Sequence, residues 1–250
     1  MNIFLAGSEF QCLLEYVLTK DIKPINHLFS FYYIHEKNIL KEYLQFKSKS
    51  KRILIDSGAH TFHTAKNIDF TEYTRHYCEF IQKYDDDNVV GYFEMDIDNR
   101  IGYKNVLKLR KIMEEATDKV IPVWHKNRGF NNFKKMCSNY DYVSISCLPI
   151  EGIPDTDLIK FVNTAHDYNC KIHGLGGTRK FILNNVPFDS VDSASWLFSA
   201  VNKRYEGKRI SSNVHYKYLT MLSFLTWRKK QIFYEKYWRE RNRRINYGKI

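Results

Sequence analysis

Short apolar runs that stop on a polar residue recur along this chain, and each is followed by a stretch whose apolar residues fall three and four apart. Asn2 to Gly7 reads as a strand, and Glu9 to Lys20 as a helix through Phe10, Leu13, Leu14 and Val17. Ile25 to Tyr33 and Glu36 to Lys47 repeat the alternation. The sharpest case is Arg52 to Phe62, R-I-L-I-D-S-G-A-H-T-F, where Ile53, Leu54 and Ile55 form a buried run that stops at Asp56, Ser57 and Gly58. Phe70 to Tyr84 then places Tyr73, Tyr77, Phe80 and Ile81 on one helical face.

Further strands are expected at Val89 to Met95, Lys119 to Trp124, Tyr142 to Cys147, Lys171 to His173 and Ser190 to Ala194. Helices are expected at Tyr103 to Ala116, Phe130 to Cys137, Asp157 to Tyr168 and Phe181 to Asn184. Eight strand-plus-helix units argue for a parallel sheet with crossover helices, and eight is the number that closes a (β/α)8 TIM-type barrel. An open doubly wound sheet is the alternative. Residues 1–202 form the expected catalytic barrel, and residues 203–250 a basic helical extension packed on it.

Charge sharpens that division. Residues 1–202 hold 25 Lys or Arg against 25 Asp or Glu, whereas 203–250 hold 14 against 3, so the net charge of +11 belongs to the extension. A neutral body with a cationic end suggests a polyanionic partner, nucleic acid before acidic lipid. Within His215 to Arg244, Trp227, Phe233, Tyr234, Tyr237 and Trp238 alternate with Arg228, Lys229, Lys230, Lys236, Arg239, Arg241, Arg243 and Arg244. Such a helix can follow a phosphate backbone while its rings stack on bases; the plainer reading is a solvated basic helix whose rings cover the barrel.

The five cysteines are scattered without a CxxC pair, so neither a disulfide framework nor a sequence-local zinc site is indicated and a reducing cytoplasm is the simplest setting. No leader and no membrane-length apolar run is present, so a membrane partner is not expected; a monomer or homodimer is.

In a barrel, the carboxyl ends of the strands meet at one mouth. Asp56 and Ser57, Asp96 and Asp98, His125, Ser146 and Cys147, His173 and Gly174, and Asp192 are the candidates for it. Asp98 as a helix cap and His125 as a core histidine are the competing structural readings. Asp56 and Asp192 directly follow buried-looking runs, where an unpaired charge costs several kcal/mol. The turn H-G-L-G-G-T-R offers the N–H groups of Gly176 and Gly177, with Arg179, to a phosphate. No metal triad is spelled out and no cofactor is expected, although ligands gathered from distant strands remain open.

In their order, these motifs resemble those of the tRNA-guanine transglycosylase superfamily, which includes the DNA 7-deazaguanine transglycosylases of phages and bacterial genomic islands. I-D-S-G-A-H-T-F stands where the family has Asp-Ser-Gly-Gly-Phe, F-E-M-D-I-D where it has Phe-Asp, H-G-L-G-G at its Met-Gly-Val-Gly turn, and S-V-D-S-A-S-W at its final strand. The resemblance implies that Asp192 is a nucleophile forming a covalent glycosyl ester, with Asp56 as its acid/base partner. It further implies that Asp96, Asp98, Ser57, Gly58, His125, Ser146, Cys147, His173 and Gly174 surround a guanine-like base. Gly176, Gly177, Arg179, Trp196 and the basic residues of the extension would contact nucleic acid, and a 7-deazaguanine base would be the small-molecule substrate. The family's zinc-binding CxCxxC insertion is absent, and Ser146 and Cys147 replace a pair of glycines, which favours DNA over tRNA. A hydrolytic base glycosylase, a non-catalytic nucleic-acid-binding barrel and an enzyme of phosphorylated metabolites are the alternatives.

Overall fold

The computed structural model describes residues 1–9, 11–19, 25–63, 68–210 and 213–247. Nine parallel segments form its main sheet: β1 (Asn2–Ala6), β2 (Ile25–Ser30), β3 (Ser50–Asp56), β4 (Val89–Phe93), β5 (Val120–Ile121), β6 (Val123–Trp124), β7 (Tyr142–Ser146), β8 (Lys171–Leu175) and β9 (Ser190–Ser193). β5 and β6 are halves of one strand interrupted at Pro122. β5 pairs with β4 and β6 with β7, while β1 pairs with both β2 and β9. The ring therefore closes with eight strands, an α/β barrel of the TIM type.

Alternation along each strand sorts side chains to two sides. Phe4, Leu28, Leu54, Phe93, Ile121 and Val123 form the plug inside the barrel. Ile3, Leu5, Phe29, Ile53, Ile55 and Tyr92 face outward into the larger core shared with the helices.

Those helices are α1 (Gln11–Thr19), α2 (Phe31–Glu36), α3 (Leu40–Lys47), α4 (Phe70–Tyr84), α5 (Asp98–Ile101), α6 (Tyr103–Ala116), α7 (Gly129–Asn139), α8 (Leu158–Asp167), α9 (Lys180–Asn185) and α10 (Ser195–Val201). A hairpin of β10 (Arg204–Tyr205) and β11 (Lys208–Arg209) precedes α11 (Tyr216–Tyr247). Two expectations are corrected here. Phe31, Tyr32 and Tyr33 belong to α2 rather than to β2, and the single helix expected from Glu36 to Lys47 is broken by Asn38, whose φ is 51°. Neither α10 nor the hairpin was anticipated.

α11 packs along the outside of the barrel and then reaches its amino-terminal end. Phe224 stacks on His27 of β2, and Gln231 bonds both backbone groups of Asn26. Lower down, Glu235 pairs with Lys51, and the Trp238 indole donates to Leu183 O, ahead of β9. The cationic end of the chain thus lies away from the strand ends that carry Asp56 and Asp192. Among the described residues, no helix is long and apolar enough to cross a membrane.

Candidate active site at the barrel mouth

The end of β3 is held from two sides. On α4, whose amino terminus is capped by Asp69, the Tyr77 hydroxyl donates to Ile55 O and the Tyr73 hydroxyl to Ser57 O. The Ser57 hydroxyl donates to Glu94 O, tying β3 to the end of β4. Gly58 then turns the backbone with φ +80°, and a Cβ there would stand 2.3 Å from that of Tyr32, so only glycine fits. Its N–H donates to Asp56 Oδ2 at 3.0 Å.

Asp56 faces the barrel interior. Burial pushes its pKa up to about 7, with the charges of Asp192 and Asp96 adding to the shift and the Gly58 N–H opposing it. Glu9, just beyond β1, is a second acid of this kind. Burial raises it to about 7 against a 2.6 Å hydrogen bond from the Ser30 N–H, and Asp56 contributes. Sequence reasoning missed Glu9; its signal was the same one that marked Asp56, an acid just past the end of a buried run.

Asp192, on β9, is 8% exposed and differently furnished. Its Oδ1 accepts the Gly176 N–H at 3.0 Å and bonds His173 Nε2 at 3.1 Å. Three strand steps around the ring, through β1 and β2, separate it from Asp56.

A third group stands on the opposite arc. His125, after β6, bonds Asp96 Oδ1 at 2.6 Å through Nε2 and Glu151 Oε1 at 2.8 Å through Nδ1. Burial works against its positive charge, but these two carboxylates outweigh it and push the pKa up to about 9. Asp98 pairs with Arg128 at 2.9 Å. One ligand-type atom from each of Asp96, Asp98 and His125 lies within 4.8 Å of the others, the geometry of a candidate cation site. A cation there must displace the imidazolium proton and compete with Arg128, because the carboxylates of Asp96, Glu151 and Asp98 are already paired with His125 and Arg128.

Several expected contacts lie elsewhere. Ser146 faces inward and accepts from the Leu148 N–H, but Cys147 is buried on the outer side against Gly174 and Gly177, and burial pushes its thiol up. Gly174 packs on Phe188, away from the mouth, and Ser57 is fully buried. The N–H groups of Gly176, Gly177 and Thr178 bond Asp192, Gly174 O and Gly176 O, which leaves none of them for a phosphate, and Arg179 pairs with Asp155. Trp196 is 1% exposed, with its indole donating to Ala6 O, so it is a core residue and not a nucleic-acid contact.

On α11, Lys230 lies over Trp227, Arg239 pairs with Glu235, Arg241 donates to Asn184 O, Lys229 is exposed and Arg228 half-buried. The side chains of Arg243 and Arg244 lie outside the described ones.

Fold and site together define an α/β barrel with acidic side chains gathered at the carboxyl ends of its strands. No protein-family model and no curated protein matches the sequence. Among solved structures, the chain is similar to an enolase protein from the environmental genome shotgun sequencing of the Sargasso Sea, at 13% identity and a TM-score of 0.45. The match covers 78% of this chain and 55% of that one, so the chain spans about half the length of this neighbour. A likeness of that degree bears on neither reaction nor substrate.

Proposed function

We propose that the barrel mouth exchanges a guanine in nucleic acid, DNA in preference to tRNA, for a 7-deazaguanine base through a covalent glycosyl ester on Asp192. The supporting observation is the inequality of two carboxylates at one opening. Asp192 Oδ1 has two hydrogen-bond partners, His173 and the Gly176 N–H, whereas the half-buried Asp56 has only the Gly58 and Ser57 backbone N–H groups beside it, and desolvation pushes its pKa up to about 7. Environments that set two acids apart in this way suit a nucleophile and a general acid.

In the first step Asp192 attacks C1′ of the nucleotide, the bond from C1′ to the base breaks, and Asp56 gives its proton to the departing nitrogen. In the second, the incoming base attacks C1′ and loses its proton to Asp56, and the ester bond breaks to regenerate Asp192. A target base must leave its stack to enter such a mouth. Cations outside α11 support a polyanionic partner. Arg204, Lys208 and Arg209 are exposed and form no ion pair with an acidic residue among the described ones, and Arg204 stands directly across from Arg209, an unfavourable pairing that an anion would relieve.

The test incubates guanine-containing DNA and tRNA with a labelled 7-deazaguanine base and looks for a protein–nucleic acid adduct by denaturing electrophoresis and mass spectrometry. We expect label to enter one nucleic acid, and Asp192→Ala to abolish the adduct. Abasic sites without incorporation would instead support the hydrolytic reading, and no adduct with either nucleic acid would refute the proposal.

A further inference from the structure

Beneath Asp192 the hydrogen bonding continues past His173 as a buried chain to Ser190 and Tyr142. The His173 ring is fully buried between Phe4 and Phe93. Its Nε2 lies 3.1 Å from Asp192 Oδ1, and its Nδ1 lies 2.5 Å from the Ser190 hydroxyl, which also bonds the Tyr142 hydroxyl.

Donor and acceptor roles along this chain follow from its far end. Burial raises the Tyr142 phenol, so it keeps its proton, and Ser190 is its only partner among the described residues. With Tyr142 donating to Ser190 and Ser190 donating to His173 Nδ1, a ring with a single proton carries it on Nε2, where it points at Asp192. The Gly176 N–H meets the same carboxylate oxygen. Asp192 Oδ2 has no hydrogen-bond partner among the described residues, and it is left as the oxygen that can reach substrate.

We infer that His173, oriented by Ser190 and Tyr142, is a positioning residue that pins one oxygen of Asp192 and presents the other for attack. The inference rests on the transglycosylase reading for its chemistry, but not for its geometry. Holding a reacting carboxylate in one rotamer raises the fraction of encounters with aligned reacting atoms. His173 touches no reacting atom, so its effect belongs in the rate of ester formation and not in substrate affinity.

Three variants and three readouts test this. His173→Leu should slow formation of the Asp192 adduct by about 100-fold while leaving the Kd for the DNA oligonucleotide within twofold. His173→Gln, whose amide can still donate to Asp192, should recover most of the rate. Independently, 15N NMR of the wild-type protein should show His173 with its proton on Nε2, and Ser190→Ala should slow adduct formation by less than His173→Leu does, because Asp192 still accepts the Nε2 proton. Adduct formation at the wild-type rate in His173→Leu, or a ring protonated on Nδ1 in the wild type, would overturn the inference. If wild-type protein forms no adduct, the transglycosylase reading fails by itself, and the NMR tautomer still decides whether the relay exists.

Discussion

The backbone N–H groups of Gly58 and Ser57 that support the charge of Asp56 are outweighed by its desolvation, and the sign of its effect on stability follows. Its folded-state value of about 7 exceeds the ordinary 3.8, so between those pH values the folded chain binds more protons than the unfolded one. Stability therefore falls as pH rises through that window and levels off above it. At about 1.4 kcal/mol per unit, Asp56→Asn should stabilise the protein at pH 8 by a few kcal/mol, with the gap closing toward pH 4. Urea unfolding at pH 4, 6 and 8 measures this, and equal gaps at all three would show that Asp56 titrates normally. In wild-type protein the base-expelling step should weaken above about pH 7, as the acid form is lost. Asp56 and Asp192 were legible in the sequence because each ends an apolar run. The pairs Ser146 with Cys147 and His173 with Gly174 were not separable by composition, yet successive strand residues point to opposite faces, so only Ser146 and His173 of these can look inward.

Between elements, the strand containing Pro122 decides how the barrel closes. A proline inside a central strand removes a ladder donor, which ordinarily argues against a strand. Here each half serves a different neighbour: Ile121 O accepts the Glu94 N–H, and Pro122 O accepts the Ser144 N–H. The Val123 N–H, left over at the switch, donates to Glu94 Oε1 at 2.6 Å, and Arg110 from α6 grips the same carboxylate at 2.7 and 3.0 Å. Glu94→Gln should therefore destabilise the barrel by about 3–5 kcal/mol, because Arg110 would be left buried and unpaired. The double variant Glu94→Leu with Arg110→Met should recover part of that loss, yet stay about 1–3 kcal/mol below wild type for want of an acceptor for Val123. Denaturant midpoints at constant m-value distinguish the two, and full recovery would mean that the Val123 bond contributes nothing. The run Lys119 to Trp124 was readable as one strand, but its change of partner depends on tertiary pairing that periodicity does not encode.

At the scale of the molecule, α11 joins the outer flank of the barrel to its amino-terminal end. The sequence made its helicity and charge plain, but not the surface it covers, because Phe224, Gln231 and Trp238 reveal their partners only through the fold. The aromatic residues that alternate with its cations are divided between packing and solvent: Trp238 is 2% exposed, whereas Phe233 is 59% exposed. Deleting residues 227–250 would therefore remove a wall of the barrel together with its charge, and a loss of nucleic-acid binding in that truncation would not identify contacts. Point variants separate the two roles. Trp238→Ala should cost about 3–5 kcal/mol of unfolding free energy, as for other buried aromatic residues. Lys229→Gln combined with Lys236→Gln, both on exposed positions, should change it by less than about 0.5 kcal/mol. Because these lysines lie on the flank and far end, the same pair should leave the rate of adduct formation at the mouth unchanged, while lowering the salt dependence of binding only if the nucleic acid wraps down the barrel wall. A fall in adduct rate in the lysine pair at constant stability would mean that α11 reaches the reacting nucleotide, contrary to the packing of Gln231 and Trp238.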